Sequence, residues 1–176
     1  MTTQLQERPG AITFKGKPMT LLGPAHKPGD PAPDFHLTAG DLSMMNLDNL
    51  LGGGTHSAML IVVPSLDTGV CSLESQKFNA RLGELPEGVK AWVVSMDLPF
   101  AQARWCGAQG EVKLGMLSDY KDHSFGLNYG LLIGELGLLA RSIVVVGTDR
   151  KIKYLQLVPE MTSEPDYDSA IAAAKG

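Results

Sequence analysis

From position 57 onward the apolar residues alternate between short continuous runs and stretches of helical period. Ser57 to Val63 is one such run and stops at Pro64, which has no amide to give a central ladder, so it reads as a buried strand. Val70, Leu73, Phe78 and Leu82 then recur at helical spacing and predict a helix over 70–85, stopped by Pro86-Glu87-Gly88. Val89 to Met96 is a second strand. Asp97-Leu98-Pro99 opens a helix with proline in its first turn, running through Phe100 to about Cys106, with Gly107 and Gly110 marking its end. Leu114 to Ser118 gives a third strand and Asp122 to Tyr129 a short helix. Leu138 to Val146 reads as one further strand, turned by Asp149-Arg150 into Lys151 to Val158 as a hairpin. The last helix starts near Pro165 and finishes at Lys175, with Glu164 and Asp166 at its positive end.

Upstream, Ala11 to Lys15 and Pro18 to Leu22 flank Gly16-Lys17 and predict a hairpin. Pro24 to Pro33 is an extended connector, and Phe35 to Thr38 with Ser43 to Leu47 suggests a second hairpin around Ala39-Gly40-Asp41. Leu51-Gly52-Gly53-Gly54-Thr55-His56 is rich in glycine, but it lacks the Gly-Lys-Ser/Thr ending of a phosphate loop and precedes a strand rather than a helix. It reads as a plain loop. The order β-α-β-α followed by a hairpin and a helix implies an α/β fold with a mixed sheet flanked by helices. That is the order of a thioredoxin-like fold, here with an N-terminal β-hairpin extension over roughly residues 1–50. One domain over 1–176 is expected.

Composition narrows the function classes. The chain is 44% hydrophobic and 19% charged with a net charge of −4 and scattered lysines, so no basic footprint for nucleic acid is present. Its apolar runs are far shorter than the ~20 residues of a membrane span. Met1 to Gly10 is polar, with no apolar h-region, so no secretory signal is expected and the reducing cytoplasm is the default. The two cysteines, Cys71 and Cys106, form no C-x-x-C pair, and in a reducing compartment only a transient disulfide between them is expected. His26, His36, His56 and His123 show no ligand spacing with either cysteine; no metal or other cofactor is expected.

The chemistry gathers at Pro64-Ser65-Leu66-Asp67-Thr68-Gly69-Val70-Cys71. With Thr68 as N-cap and Asp67 as a turn residue, Cys71 falls at the third position of the helix. There the free amides and the helix dipole favour a thiolate. Two readings stand: a reactive nucleophile at the carboxyl end of a strand, or a small buried hydrophobe. Arg141 stands alone in an apolar segment, where an unpaired charge is expensive; it reads as a functional cation, as an edge position, or as half of a structural ion pair. Trp92 is a core candidate, and Trp105 adjoins Cys106.

Pro64-x-x-x-Thr68-x-x-Cys71 resembles the active-site motif of the peroxiredoxins. Three longer stretches resemble their thiol peroxidase branch, the atypical two-cysteine enzymes: Val63 to Cys71, Met96 to Gln102 with Arg104-Trp105-Cys106-Gly107-Ala108, and Thr162-x-Glu164-Pro165-Asp166-Tyr167. The resemblance covers nearly the whole chain. It implies that Cys71 is the peroxidatic cysteine, Cys106 the resolving cysteine, Thr68 a hydrogen-bond donor to peroxide and thiolate, Pro64 a shield from water, and Arg141 the cation beside sulfur. It further implies a hydroperoxide substrate, often alkyl or lipid, thioredoxin as reductant, and a homodimer. Departures are the Gly52-Gly53-Gly54 loop and Gly69, where many relatives have proline.

A free cysteine of pKa ~8.5 is about 3% thiolate at neutral pH, and lowering that pKa to roughly 6 gains only some thirtyfold. Enzymes supply ~10⁶-fold or more. The larger share must therefore act on the departing oxygen, through the Thr68 hydroxyl, the Cys71 amide and the Arg141 guanidinium. A forked guanidinium suits two adjacent oxygens, so Arg141→Lys is not conservative. A Cys71–Cys106 disulfide needs Cα atoms within about 7 Å, and both helix ends are expected to unwind as it forms, aided by Gly69 and Gly107. The alternatives to a peroxidase are a peroxide sensor or disulfide oxidoreductase that relays the disulfide to a partner, and an interaction module with two inert thiols.

Overall fold

The computed structural model describes residues 5–176; the first four positions of the polar N-terminal stretch lie outside it. In chain order, β1 (Glu7–Phe14) and β2 (Lys17–Leu22) form the first hairpin, and β3 (Leu37–Ala39) and β4 (Met44–Met45) the second. Next come α1 (Leu47–Leu50), β5 (Ser57–Val62), α2 (Gly69–Ala80), β6 (Val89–Ser95), α3 (Pro99–Gln109), β7 (Gly115–Ser118) and α4 (Ser124–Asn128). The chain closes with β8 (Leu132–Ile133), β9 (Leu138–Leu139), β10 (Ser142–Val146), β11 (Ile152–Leu157) and α5 (Tyr167–Lys175).

Seven strands form the main sheet in the order β11-β10-β5-β6-β7-β3-β4. The pairs β5–β6 and β6–β7 are parallel, while β10 runs antiparallel to both β5 and β11. Every residue of β5 is buried, which is why it lacks the alternation of a half-exposed strand. Its side chains alternate between two cores instead. Ala58, Leu60 and Val62 face Phe35, Leu47, Leu50, Phe125 and Tyr129. Met59, Ile61 and Val63 face Cys71, Phe78, Trp105, Ala170 and Ile171, from α2, α3 and α5. Helices therefore cover both faces of a mixed sheet, the thioredoxin-like arrangement expected from the order of elements.

The hairpin turns one residue earlier than expected. Phe14 pairs with Lys17, so the two-residue loop is Lys15-Gly16, with φ of 49° and 79°. Positive φ at both positions is the type I′ geometry, whose twist matches the flanking strands. Helix α2 ends at Ala80, short of the expected Leu85, and Leu82–Glu84 forms a separate 3₁₀ turn. Helix α3 runs through Gly107 to Gln109 and is capped by Gly110, whose φ of 86° favours glycine.

The expected strand 138–146 is two strands in two sheets. β9 belongs to a four-stranded sheet, β1-β2-β8-β9, and β10 to the main one. At the crossing, the Ala140 amide donates to the Leu131 carbonyl at 2.8 Å, and the Arg141 carbonyl accepts from the Val158 amide at 3.0 Å. Apolar periodicity reports burial, not the identity of the ladder partner, so it does not register such a change of sheet.

The hairpin is tied down by Glu160. Its carboxylate accepts from Thr13 Oγ1 at 2.6 Å, the Lys15 amide at 2.9 Å and the Gly16 amide at 3.2 Å. These bonds, led by that from Thr13, hold its pKa down from 4.5 to about 2. A depressed carboxylate stabilises the fold above its ordinary pKa of 4.5, and the contribution is lost as pH falls toward 2. Glu160→Gln is expected to lower the melting temperature at neutral pH, with the gap to wild type closing as the solution is acidified through that range. A gap independent of pH in thermal melts refutes this role.

Candidate active site

Strand β5 delivers the chain to Pro64, and the Val63 amide makes the last ladder bond, to the Val94 carbonyl at 3.0 Å. The loop that follows is clamped by Asp97 from the end of β6. One carboxylate oxygen accepts from Ser65 Oγ at 2.7 Å; the other accepts from the Leu66 amide and from Ser95 Oγ, each at 2.8 Å. Asp97 thus does not cap α3, as its place before Pro99 suggests; the N-cap there is Leu98, without a side-chain bond. Asp67, read as a turn residue, pairs across the surface with Arg104 at 3.1 Å.

Thr68 is the N-cap of α2 in extended conformation, and Cys71 is the third residue of the helix, as its spacing predicts. The Thr68 hydroxyl donates to the Ser65 carbonyl at 2.9 Å, so in this structure it secures the turn and does not bond sulfur. Cys71 is fully buried. Its sulfur accepts from Arg141 Nη2 at 3.3 Å.

Arg141 is 2% exposed and spends its fork of donors on three partners. Nε and Nη2 both reach the Met161 carbonyl, at 3.2 and 2.9 Å, and Nη1 bonds the Glu74 carboxylate. Burial alone weakens a guanidinium's hold on its proton, but the charges of Glu74 and Cys71 outweigh this and raise the pKa above its ordinary value. Glu74 is itself fully buried. Desolvation pushes its carboxyl up to about 7, against the pull of Arg141.

The helical period assigned Leu73 to the buried face of α2, yet Leu73 is 42% exposed and Glu74 wholly covered. The core face runs through Cys71, Glu74, Ser75 and Phe78. Counting from Cys71 instead of Val70 exposes this stripe, and a lone arginine in an apolar segment calls for an acid to pair with it. Those were the signals for Glu74.

Against the start of α2 lies a cavity of about 250 Å³ lined mainly by apolar side chains, which Arg141 reaches and Cys71, buried behind it, does not line. Pro64, Thr68, Gly69 and Val70 form one wall, Leu136 from the β8–β9 turn and Leu138 from β9 another, and Phe14, Met161, Thr162 and Arg141 the remainder. A larger groove of about 360 Å³, between Leu85, Lys90 and Trp92, is lined by none of Pro64, Thr68, Arg141 and the two cysteines. Trp92 is therefore only partly buried.

Cys106 sits near the end of α3, half-buried, and both cysteines are free thiols. Burial pushes the Cys106 thiol up from its ordinary value. Helices α2 and α3 are stitched together around the two cysteines: Trp105 Nε1 donates to Ser72 Oγ at 2.9 Å, and Gln76 Nε2 to Gln109 Oε1 at 2.6 Å.

The Redoxin family model matches residues 27–171. A thiol peroxidase of Halalkalibacterium halodurans is 48% identical over 94% of this chain and 97% of its own length. One of Streptococcus pneumoniae is 49% identical over 93% and 98%. The chain belongs to the thiol peroxidase family. Membership makes it an enzyme of the peroxidase class. Among solved structures, a peroxiredoxin-like protein from Aquifex aeolicus is 39% identical and superposes with a TM-score of 0.86, covering 97% of each chain. A thiol peroxidase from Chromobacterium violaceum, 19% identical with a TM-score of 0.79 over 90% and 91% of the two chains, shares the fold.

Asp97→Ala removes the acceptor for three donors in and around the loop before Cys71. Leaving buried donors unpaired costs about 1–3 kcal/mol. The expected result is that loss in urea unfolding together with faster amide exchange at Leu66. Wild-type exchange at Leu66 places the loop under some other control.

Proposed function

We propose that this thiol peroxidase-family enzyme reduces hydroperoxides through Cys71, with Cys106 as resolving thiol and thioredoxin as reductant. The observation that carries the reading is a guanidinium that lies 3.3 Å from a helix-terminal sulfur and also lines an apolar cavity. The Cys71 thiolate attacks the terminal oxygen of R–O–O–H. The S–O bond forms as the O–O bond breaks, giving sulfenic acid and an alkoxide that takes up a proton. Arg141 faces the charge that moves from sulfur to the departing oxygen, and the free amides of the first turn of α2 add donors. Thr68 bonds the incoming peroxide once its hydroxyl turns from Ser65, and Pro64 keeps water from the sulfur.

The sulfenic acid then condenses with the Cys106 thiol, releasing water and forming a disulfide, which a dithiol such as thioredoxin reduces. Forming it requires the Trp105–Ser72 and Gln76–Gln109 bonds to open, with the ends of α2 and α3 unwinding. Gly107 lies inside α3, where glycine weakens the helix by about 1 kcal/mol relative to alanine. The cellular role that follows is antioxidant defence in the reducing cytoplasm, carried out by a homodimer. Among the described residues no helix is long and apolar enough to cross a membrane.

One equivalent of hydroperoxide is expected to lower the intact mass of the wild-type protein by two hydrogens. Cys106→Ser gains one oxygen instead, and Cys71→Ser stays unchanged. Amide exchange over residues 69–75 and 103–109 is expected to rise on oxidation. A wild-type protein whose mass is unmoved, or full thioredoxin-dependent turnover by Cys106→Ser, overturns the assignment.

The cavity also sets substrate preference. Its lining is apolar around a single charged group, so alkyl hydroperoxides are favoured over hydrogen peroxide. Each methylene buried contributes about 0.8 kcal/mol, or roughly fourfold in kcat/KM where the contact persists in the transition state. Initial rates for ethyl, propyl and butyl hydroperoxides are expected to rise in that order. A flat series shows that the chain does not enter the cavity.

A further inference from the structure

The site holds one cation and two groups that become anions. Arg141 donates to the Cys71 sulfur through Nη2 and to Glu74 through Nη1. All three side chains are essentially out of water, so each anion's interaction with the shared cation is little screened. The second carboxylate oxygen, Glu74 Oε1, has no hydrogen-bond partner among the described residues. A buried carboxylate with an unpaired oxygen is incompletely compensated, and protonation relieves it.

The other charges facing Glu74 do not supply a second cation. Glu164, from the segment before α5, raises its pKa. Lys77, one turn along α2, is committed to Glu164 at 2.6 Å, and the Tyr167 hydroxyl donates to that same carboxylate at 2.7 Å. Among the described residues Arg141 alone serves both Cys71 and Glu74.

We propose that Glu74 is a positioning residue that shares one proton with Cys71, so that the thiolate forms as the carboxylate takes up the proton and the buried charge of the cluster does not change. The exchange is Cys71–SH plus Glu74–COO⁻ against Cys71–S⁻ plus Glu74–COOH, with Arg141 cationic throughout. Burial lifts the Glu74 carboxyl to about 7, so it takes up a proton far more readily than an exposed carboxylate. Resting on the peroxidatic reading of Cys71, the same device handles the proton of turnover. When sulfur becomes neutral sulfenic acid, Glu74 releases its proton, which balances the one taken up by the departing alkoxide.

The test is the ultraviolet thiolate absorbance of the reduced protein against pH, with no peroxide present, so that it stands apart from peroxidase activity. Glu74→Gln keeps an acceptor for Nη1 while removing the competing charge. Its Cys71 thiolate is expected to appear at lower pH than in wild type, by about one unit or more. Glu74→Ala leaves Nη1 unpaired, and its peroxide rate is expected to fall at least tenfold. A Glu74→Gln titration that is unmoved or displaced upward overturns the proposal.

A second measurement leaves Glu74 in place and covers the case of a variant that does not fold. The protonated-carboxyl infrared band near neutral pH is expected to be stronger in the reduced wild-type protein than in Cys71→Ser, where the carboxylate is Arg141's sole anion. Asp119, lifted to about 6 by burial, contributes equally to both spectra. Equal bands overturn proton sharing.

Discussion

A guanidinium enclosed at the crossing of two sheets is the constraint on which the rest of the molecule depends. Burying the Arg141 charge carries a desolvation penalty of several kcal/mol before any partner is met. Its partners come from separate parts of the chain: Glu74 and Cys71 from α2, and the Met161 carbonyl from the segment after β11. A buried ion pair of this kind is not in itself a device for stability, since apolar residues of similar volume serve as well. The arrangement makes physical sense when the cation is needed beside the sulfur.

The N-terminal hairpin then acquires a purpose. Met161 donates its amide to the Thr13 carbonyl at 2.9 Å and offers its own carbonyl to Arg141. Glu160, one residue earlier, clasps the hairpin tip. The hairpin therefore reaches the sulfur through Thr13, Met161 and Arg141 in succession, while Phe14 forms part of the cavity wall. On the other side Asp97 holds the loop from which α2 starts. Cys71 is positioned from both flanks, by a carboxylate at the end of β6 and by a sheet outside the main one.

The strands and helices that build the main sheet were legible because burial on both faces leaves unbroken apolar runs, as in Ser57 to Val63. Cys71 at the third position of its helix was legible for the same reason, since Pro64 and Thr68 fix where the strand ends and the helix begins. Features that depend on which group bonds which were not. Leu138 to Val146 is apolar on both sides of Arg141, so the crossing from one sheet to the other leaves no trace in periodicity. Glu74 hides within a helix whose apolar residues suggest a face rotated by one position, because its burial depends on a charge 67 residues away in sequence. Asp97 looks like a helix opener, as aspartate before proline commonly does, and only the fold brings Ser65 and Leu66 within its reach.

The two thiols are set unequally, and this gives the proposed cycle a direction. Cys71 has a guanidinium on its sulfur. Cys106 has no such partner among the described residues, and burial raises its pKa. In thiol–disulfide exchange the better-stabilised thiolate leaves faster. A reductant that attacks Cys106 expels Cys71 toward Arg141, whereas attack at Cys71 expels a thiolate with no cation to receive it. Exposure favours the same choice, since Cys106 is half-buried and Cys71 fully so. In the proposed cycle the group beside the attacking sulfur at the start thus also draws the chain back to its starting form at the end, and the residue after Cys71 and the residue before Cys106 can rejoin through the Ser72–Trp105 bond.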